Sequence, residues 1–441
     1  MTAVVAIMNK TGVALAADSA VTVTSSNGAG NYSSSKIYNT ANKLFMLSKY
    51  HPVGIMVYSS AEFMQVPWEL IIKLYRKNLG KKSFETIEQY RDDFLVFLLQ
   101  SDSFSFSDKE NEYLSIRIFR IVSYILSISN DELIKNETSK VILEKLEGDS
   151  FNDKYIEMLE VIFKDINTNY FSKYEKIDKF LEYSFDTFQS EYEDIVLKAF
   201  EICKSETNIE ITSYISFKKE LLSLVYEYLT RANFSLGSTG IVFAGFGESE
   251  IYPALCAIEI DGMFNQELRC INTQVTKIDS RTTASIVPFA QKDVMKMFIE
   301  GIDPDIEQVF KASFSKVIHG YNDLLVNAIE DDKIKQIIKD IDTDKLDEIF
   351  AERIIEAKRV WQISPTIDTV EILSKEDLAE MAESLIYLTF LKRRTSSSEE
   401  SVGGPIDVAI ISKGDGFIWK NRKHYFEKEL NQHFFSNYYD H

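Results

Sequence analysis

The feature that most constrains the fold is a pair of short apolar runs at the start of the chain. They cover residues 3–8 and 13–17, and the four residues between them have the composition of a tight turn. Two such runs around a turn predict a β-hairpin, and their lack of polar alternation predicts that both faces are buried. Thr2 precedes the first run and Asp18 follows the second, so the predicted hairpin brings a hydroxyl and a carboxylate to one end of a core sheet.

Thr2 is a candidate nucleophile because it follows the initiator Met1 directly. Threonine is small enough for ordinary removal of Met1, which would leave a hydroxyl beside its own free α-amine. A hydroxyl, an amine that can act as base and a nearby carboxylate form one of the few nucleophile arrangements available at a chain terminus. The sequence does not tell whether Met1 is removed.

Residues 2–6 and 12–19 resemble the start of a mature proteasome β-type subunit, and thus the N-terminal-nucleophile (Ntn) hydrolases that include the bacterial HslV-like peptidases. The separation of Thr2 and Asp18 matches the family's nucleophile and aspartate without a gap. Residues 240–262 resemble the family's central strand pair, and residues 402–419 resemble its closing hairpin. The resemblance implies an α+β fold, a four-layer αββα sandwich, here with a large helical insertion.

The family also implies further site residues. Lys43, directly before an apolar strand, takes the place of the catalytic lysine, although Lys36 is closer to the family's spacing. Ser59 is the candidate backbone donor of an oxyanion hole. Glu399 takes the place of an aspartate that buttresses the nucleophile, or else belongs to a solvated loop.

Three departures from the family pattern concern the same site. The glycines of the oxyanion turn are replaced near Tyr58 and Ser59, and the Gly/Ser-rich loop is replaced by residues 286–291. Ala20 stands where an arginine is common. These changes favour an altered pocket.

The predicted organisation alternates core and insertion. Residues 1–100 form the first part of the Ntn core, 101–215 an inserted helical subdomain, and 216–301 the second part of the core. Residues 302–374 form a second helical insertion, and 375–441 supply the closing helix and strands. Residues 25–35, rich in serine and glycine, are expected to be a loop.

The composition of the chain limits the kinds of partner and ligand that we expect. The formal charge of −19, without a Lys/Arg stripe, argues against nucleic acid. No apolar run is long enough for a membrane span, and no secretory signal is evident, so we expect a cytoplasmic protein without membrane contact. Three scattered cysteines and five histidines without metal spacing predict no cofactor and no metal.

The sequence therefore predicts a proteasome-like threonine peptidase that cleaves amide bonds through Thr2. The expected partners are a peptide or protein substrate, further copies of the chain in a homo-oligomer, and an ATPase or regulatory protein. Two alternatives are a catalytically inactive assembly or binding protein of the same fold and a small-molecule amidase of the Ntn class. Substrate identity, ring size and the role of the insertions are not encoded in any motif.

Overall fold

The computed structural model describes residues 2–26, 33–101, 104, 106–135, 149–205, 217–395, 403–424, 426–433 and 436. These residues form a mixed α+β structure whose sheets are antiparallel. Its strands are β1 (Val4–Asn9), β2 (Gly12–Ala17), β3 (Val21–Ser26), β4 (Ser33–Tyr38), β5 (Leu44–Met46), β6 (Val53–Ser59), β7 (Glu62–Phe63), β8 (Val66–Pro67), β9 (Thr239–Gly245), β10 (Ala254–Phe264), β11 (Glu267–Lys277), β12 (Ala284–Pro288), β13 (Asp407–Ser412) and β14 (Gly416–Asn421).

The helices form two groups in chain order, one between β8 and β9 and the other between β12 and β13. They are α1 (Trp68–Leu79), α2 (Ile87–Gln100), α3 (Phe106–Lys135), α4 (Asp149–Asp165), α5 (Phe185–Ser205), α6 (Lys218–Thr230), α7 (Lys292–Glu300), α8 (Pro304–Ala328), α9 (Asp332–Lys339), α10 (Asp344–Lys358), α11 (Ser364–Ile372) and α12 (Lys375–Thr395).

The N-terminal hairpin lies inside a five-stranded sheet of order β12–β1–β2–β13–β14. Val4 pairs with Ala17 and Asn9 with Gly12, so the turn falls where the sequence places it. Every residue of β1 and β2 is buried. Both faces can be apolar because one faces the second sheet and the other faces helices.

The second sheet has the order β11–β10–β9–β6–β5. Its inner face and the inner face of the first sheet share one core cluster, to which Val4, Leu15, Met56 and Val242 belong. The two sheets therefore pack face to face. Removing this apolar surface from water is the main favourable contribution to their association.

Helices cover both outer faces. On the first sheet, Val5 and Ile7 pack with Leu378 and Ala382 of α12 and with Val370 of α11. On the second sheet, residues of α1 and α2 pack against the outward side chains of β6, β9 and β10. The layers thus run helix, sheet, sheet, helix.

The first helical segment has a core of its own. Side chains of α3, α4, α5 and α6 form one cluster, which also includes Phe264 at the end of β10. Here the structure differs from the predicted boundary at residue 215, because Leu221 and Val225 of α6 pack in this cluster rather than on a sheet. The helical segment extends to about Thr230.

Gly262 lets α3 approach the sheet closely. Its φ is 154°, a backbone conformation that side chains disfavour, and a Cβ there would lie 2.4 Å from the Tyr113 ring. The Tyr113 hydroxyl donates a hydrogen bond to the carbonyl of Asp261. The docking of α3 on β10 therefore needs glycine at this position.

Two further segments refine the predictions. Residues 25–35 were expected to be a loop, but residues 25–26 end β3 and residues 33–35 begin β4, and the two strands pair antiparallel. The rest of the predicted loop, residues 27–32, lies outside the described residues. The second helical segment, α8 to α11, begins after Asp303, whose side chain accepts from the Asp305 N–H, and Pro304 takes the first helical position. This segment leaves many apolar side chains exposed. No helix among the described residues is long and apolar enough to cross a membrane.

Replacing Gly262 by alanine should lower the free energy of unfolding by about 1–3 kcal/mol, because it adds both backbone strain and a clash with Tyr113. Urea denaturation compares this variant with Gly414→Ala, whose added Cβ meets nothing within 4 Å. Equal stability of the two variants would contradict the close approach described here.

Candidate active site

Asp18 is the centre of a buried polar cluster at the end of β2. Its Oδ1 atom accepts hydrogen bonds from the Ala3 N–H at 3.0 Å and from the Lys43 Nζ at 2.7 Å. Its Oδ2 atom accepts from the N–H groups of Ala20, at 3.2 Å, and Gly403, at 3.4 Å. The side chain is 1% exposed. Four donors satisfy a carboxylate that would otherwise be costly to bury.

Lys43 reaches Asp18 from the other sheet. It directly precedes β5, and its carbonyl accepts from the Val57 N–H of β6 at 2.8 Å. Its ammonium contacts the Ala20 carbonyl at 2.5 Å as well as Asp18. Burial lowers the pKa of Lys43, and the positive charge of Lys423 acts in the same direction, while Asp18 opposes the shift. The buried ammonium of Lys43 therefore releases its proton more easily than the ammonium of a solvated lysine does.

A second buried ion pair lies close enough to influence Lys43. Lys423 binds Asp407, which begins β13 and pairs with Ala17 of β2. Asp407 also accepts from the Lys423 N–H at 2.9 Å. Sequence reasoning did not identify this pair, because isolated charges at strand ends usually belong to the solvated surface.

Thr2 lies beside the Asp18 cluster and is 5% exposed. Its neighbour Ala3 is fixed twice, since the Ala3 N–H donates to Asp18 and the Ala3 carbonyl accepts from the Asp18 N–H at 3.1 Å. The main chain at Thr2 and the ammonium of Lys43 are thus anchored on the same carboxylate oxygen. This arrangement brings together the three residues that the sequence predicts as the reactive set.

Thr2 also borders two cavities. The smaller one, of about 130 Å³, is lined by Lys43 and by apolar residues such as Val21, Val57 and Trp68. The larger one, of about 790 Å³, extends from Thr2 towards α3. Thr2 therefore lies where two cavities share part of their lining, together with Tyr58, Ser59 and Ser60.

Ser59 ends β6 and lines both cavities with Thr2. Its φ of 71° is left-handed, which is uncommon for a residue other than glycine. Successive N–H groups of a strand point to opposite sides, and the Val57 N–H points to Lys43 while the Ser60 N–H donates to the Ser238 carbonyl of the other side. The alternation therefore places the Ser59 N–H on the β5 side of β6, where the Val57 N–H meets the main-chain carbonyl of Lys43.

Tyr58 borders the site, whereas the sequence analysis names it only as a replacement of a family glycine. Its ring occupies the space above Gly240, where a Cβ would lie 1.8 Å from the Tyr58 Cζ atom. Tyr58 lines both cavities, and burial raises its pKa to about 12. Its hydroxyl therefore stays protonated at neutral pH. The pairing of a tyrosine with a glycine on the neighbouring strand is the signal that could have indicated it.

Two predictions fall outside the described part of the chain. Glu399 is not among the described residues, so its role stays a prediction. Lys36 lies in β4, but its side chain is not described. The chain that follows Glu399 does return to the site, because Gly403 donates to Asp18 and accepts from the Ser19 N–H at 3.2 Å.

Within the described residues, one group has the spacing of a metal site. It consists of His319 on α8 and of Asp344 and Asp347 on α10, and Asp347 already accepts from the Ser315 hydroxyl at 2.8 Å. None of these residues lines the cavities at Thr2. Exposed acidic groups often lie this close without an ion.

Comparison with known proteins adds no assignment: no protein-family model matches the sequence, and no curated protein matches it significantly. The geometry of the site and the residues that form it therefore carry the functional argument.

Replacing Lys43 by methionine should lower the free energy of unfolding by about 3–5 kcal/mol, because it leaves the Asp18 carboxylate buried without its cation. The double variant Asp18→Asn with Lys43→Met removes both charges and should regain a large part of this loss. Urea denaturation of the wild type, both single variants and the double variant measures the coupling. Additive effects would contradict a direct buried pair.

The same pair predicts a pH dependence of stability. Because the pKa of Lys43 is lower in the folded than in the unfolded chain, the unfolded state binds more protons between that lowered value and the ordinary value of 10.5. The contribution of Lys43 to the free energy of unfolding therefore rises with pH across this interval. The free energy of unfolding, measured by urea denaturation from pH 7 to 10, should rise more steeply with pH for the wild type than for the double variant. A slope that is equal in both proteins would exclude a lowered pKa of Lys43.

Proposed function

We propose that this protein is a proteasome-like threonine hydrolase of the Ntn class, which cleaves amide bonds in peptides through Thr2 after removal of Met1. One observation carries the proposal: a single buried oxygen of Asp18 holds both the main chain beside Thr2 and the ammonium of Lys43. The two cavities that Thr2 borders supply room for a substrate.

The layer order supports the finer fold assignment within this proposal. Two antiparallel five-stranded sheets pack face to face, and helices cover both outer faces. This arrangement is compatible with the αββα sandwich of the Ntn hydrolases. The candidate nucleophile precedes a central strand of the first sheet, as the resemblance implies.

In the proposed first step, the hydroxyl of Thr2 attacks the substrate carbonyl carbon while its proton passes to the free α-amine. An α-amine has an ordinary pKa of about 7.7–8.0, so a useful fraction is neutral near pH 7.5. The amine then protonates the departing amine of the substrate. The product of this step is an ester between Thr2 and the acyl part of the substrate.

Water resolves the ester in the second step, and the same α-amine takes the proton of the attacking water. Both steps pass through an oxyanion, for which the Ser59 N–H is the proposed donor. Lys43 adds positive charge close to the developing oxyanion, and Asp18 holds Lys43 in place and partly balances its charge. Each residue of the set thus has one task.

Self-association and an ATPase or regulatory partner belong to the same proposal, because they follow from the resemblance alone. The alternatives are a non-catalytic assembly or binding protein, favoured by the replaced glycines around Ser59, and a small-molecule amidase. The intact set of Thr2, Asp18 and Lys43 favours an enzyme over the binding protein.

Intact-mass spectrometry of the purified protein should find a chain that begins at Thr2. An epoxyketone, which reacts with an N-terminal threonine through its hydroxyl and amine together, should add once to this chain. Thr2→Ala should abolish the adduct and lower peptide cleavage at least about 100-fold, since both nucleophile and base geometry are lost.

Thr369→Ala, a change of an exposed threonine on α11, serves as the matched control and should keep both the adduct and the activity. A retained Met1 without any adduct would overturn the enzyme and leave the binding protein. An adduct without cleavage of a broad peptide mixture would instead favour the small-molecule amidase.

A further inference from the structure

The larger cavity at Thr2 has a wall that does not come from the sheets. Its lining includes β6 and residues 234–239, and it also includes part of α3 of the helical segment. Four residues of α3 line it, at the helical spacing of one face: Tyr113, Ile116, Arg117 and Arg120. The helical segment therefore takes part in the space where a substrate of Thr2 would lie.

A buried ion cluster fixes this wall. Asp261 of β10 accepts from both Arg117 and Arg269. Arg269 is satisfied beneath the cavity, because it also donates to main-chain carbonyls of residues 228–233 at 2.6 to 2.8 Å. Arg117, 6% exposed, donates to the Gly237 carbonyl at 3.3 Å as well. Two guanidinium groups on one carboxylate leave an excess of positive charge at this wall.

Arg120 adds a further positive charge. It is exposed and lines the cavity one helical turn beyond Arg117, and it forms no ion pair with any described residue. The other acid of the lining is Glu62, which is exposed. Glu259 lies outside the lining, and it accepts a hydrogen bond from the hydroxyl of Ser238, which belongs to the lining. The positive charge is thus concentrated on the α3 side of a protein whose total charge is −19.

We propose that α3 forms a specificity wall of the active site and that Arg120, supported by Arg117, selects substrates carrying a carboxylate on one side of the cleaved bond. The inference rests on the proposed function. Guanidinium groups bind carboxylates with paired N–H donors, and a half-enclosed cavity strengthens this attraction relative to open water. The carboxylate is either an acidic side chain or the C-terminus of a peptide.

Cleavage of matched peptides tests the selectivity. Peptides that differ only by Glu or Gln at each position flanking the cleaved bond should show a Glu preference in kcat/KM of about tenfold at one of these positions. A second pair, with a free or an amidated C-terminus, distinguishes the two sources of the carboxylate. Arg120→Ala should bring the preference close to one, and Arg120→Glu should invert it in favour of a Lys peptide.

Lys109→Ala, which removes an exposed cation of α3 outside the cavity lining, is the control and should keep the preference. A wild type without any carboxylate preference, or an Arg120→Ala variant that retains it, would overturn the inference. Raising the salt concentration should weaken a true preference, because the wall is partly solvated.

Binding separates this inference from the proposed function. In the Thr2→Ala variant, fluorescence anisotropy of labelled Glu and Gln peptides should show tighter binding of the Glu peptide, and Arg120→Ala should remove the difference. If this holds while the wild type cleaves nothing, only the hydrolase proposal fails. If the wild type cleaves peptides but neither binding nor cleavage distinguishes Glu from Gln, only the specificity wall fails.

Discussion

The ion pair between Asp18 and Lys43 is the interaction on which the arrangement of the site depends. Asp18 follows β2 of the first sheet and Lys43 precedes β5 of the second, so the pair joins the two sheets at one edge of their common core. Facing sheets lie about 10 Å apart, so the gap is bridged by the long side chain of Lys43 together with the Asp18 carboxylate that it meets. Because the pair is buried, removing either partner destabilises the fold strongly, since the remaining charge stays desolvated. The same contact therefore fixes the sheets and the position of Thr2.

Much of this core could be predicted from the sequence because the relevant signals are local. The apolar runs around residues 9–12 determine the hairpin, and the hairpin alone brings Thr2 and Asp18 together. Lys43 could be preferred over Lys36 because an apolar strand follows it directly. By contrast, the pairing of β3 with β4 carries only a weak apolar signal, since seven of their twelve residues are serine or threonine. Hydroxyl-rich composition predicts a loop even where main-chain hydrogen bonds form a hairpin.

The remaining features of the site depend on contacts between distant segments. Periodicity indicates that α3 is a helix, but it does not indicate that Tyr113 meets Gly262 or that Arg117 reaches Asp261, 144 positions away. Likewise, the boundary of the helical segment follows the packing of α6, whose apolar pattern would suit a sheet face equally well. The apolar periodicity of a sequence predicts which face of a helix is buried, whereas the residues that this face contacts depend on the complete fold.

In the proposed hydrolase, the separate core of the first helical segment bears on which part of the chain would supply catalysis and which part would select the substrate. The donors to Asp18 come from residues that flank β1, β2 and β5 and from Gly403, and none of them belongs to the helical segment. The α3 wall, in contrast, is held by Asp261 and Gly262, whose contacts lie on the far side of the larger cavity. Changes of exposed residues on α3 therefore alter the lining of the larger cavity without touching the buried pair of Asp18 and Lys43. In a protein built in this way, selectivity can change through the insertion while the reactive set remains the same.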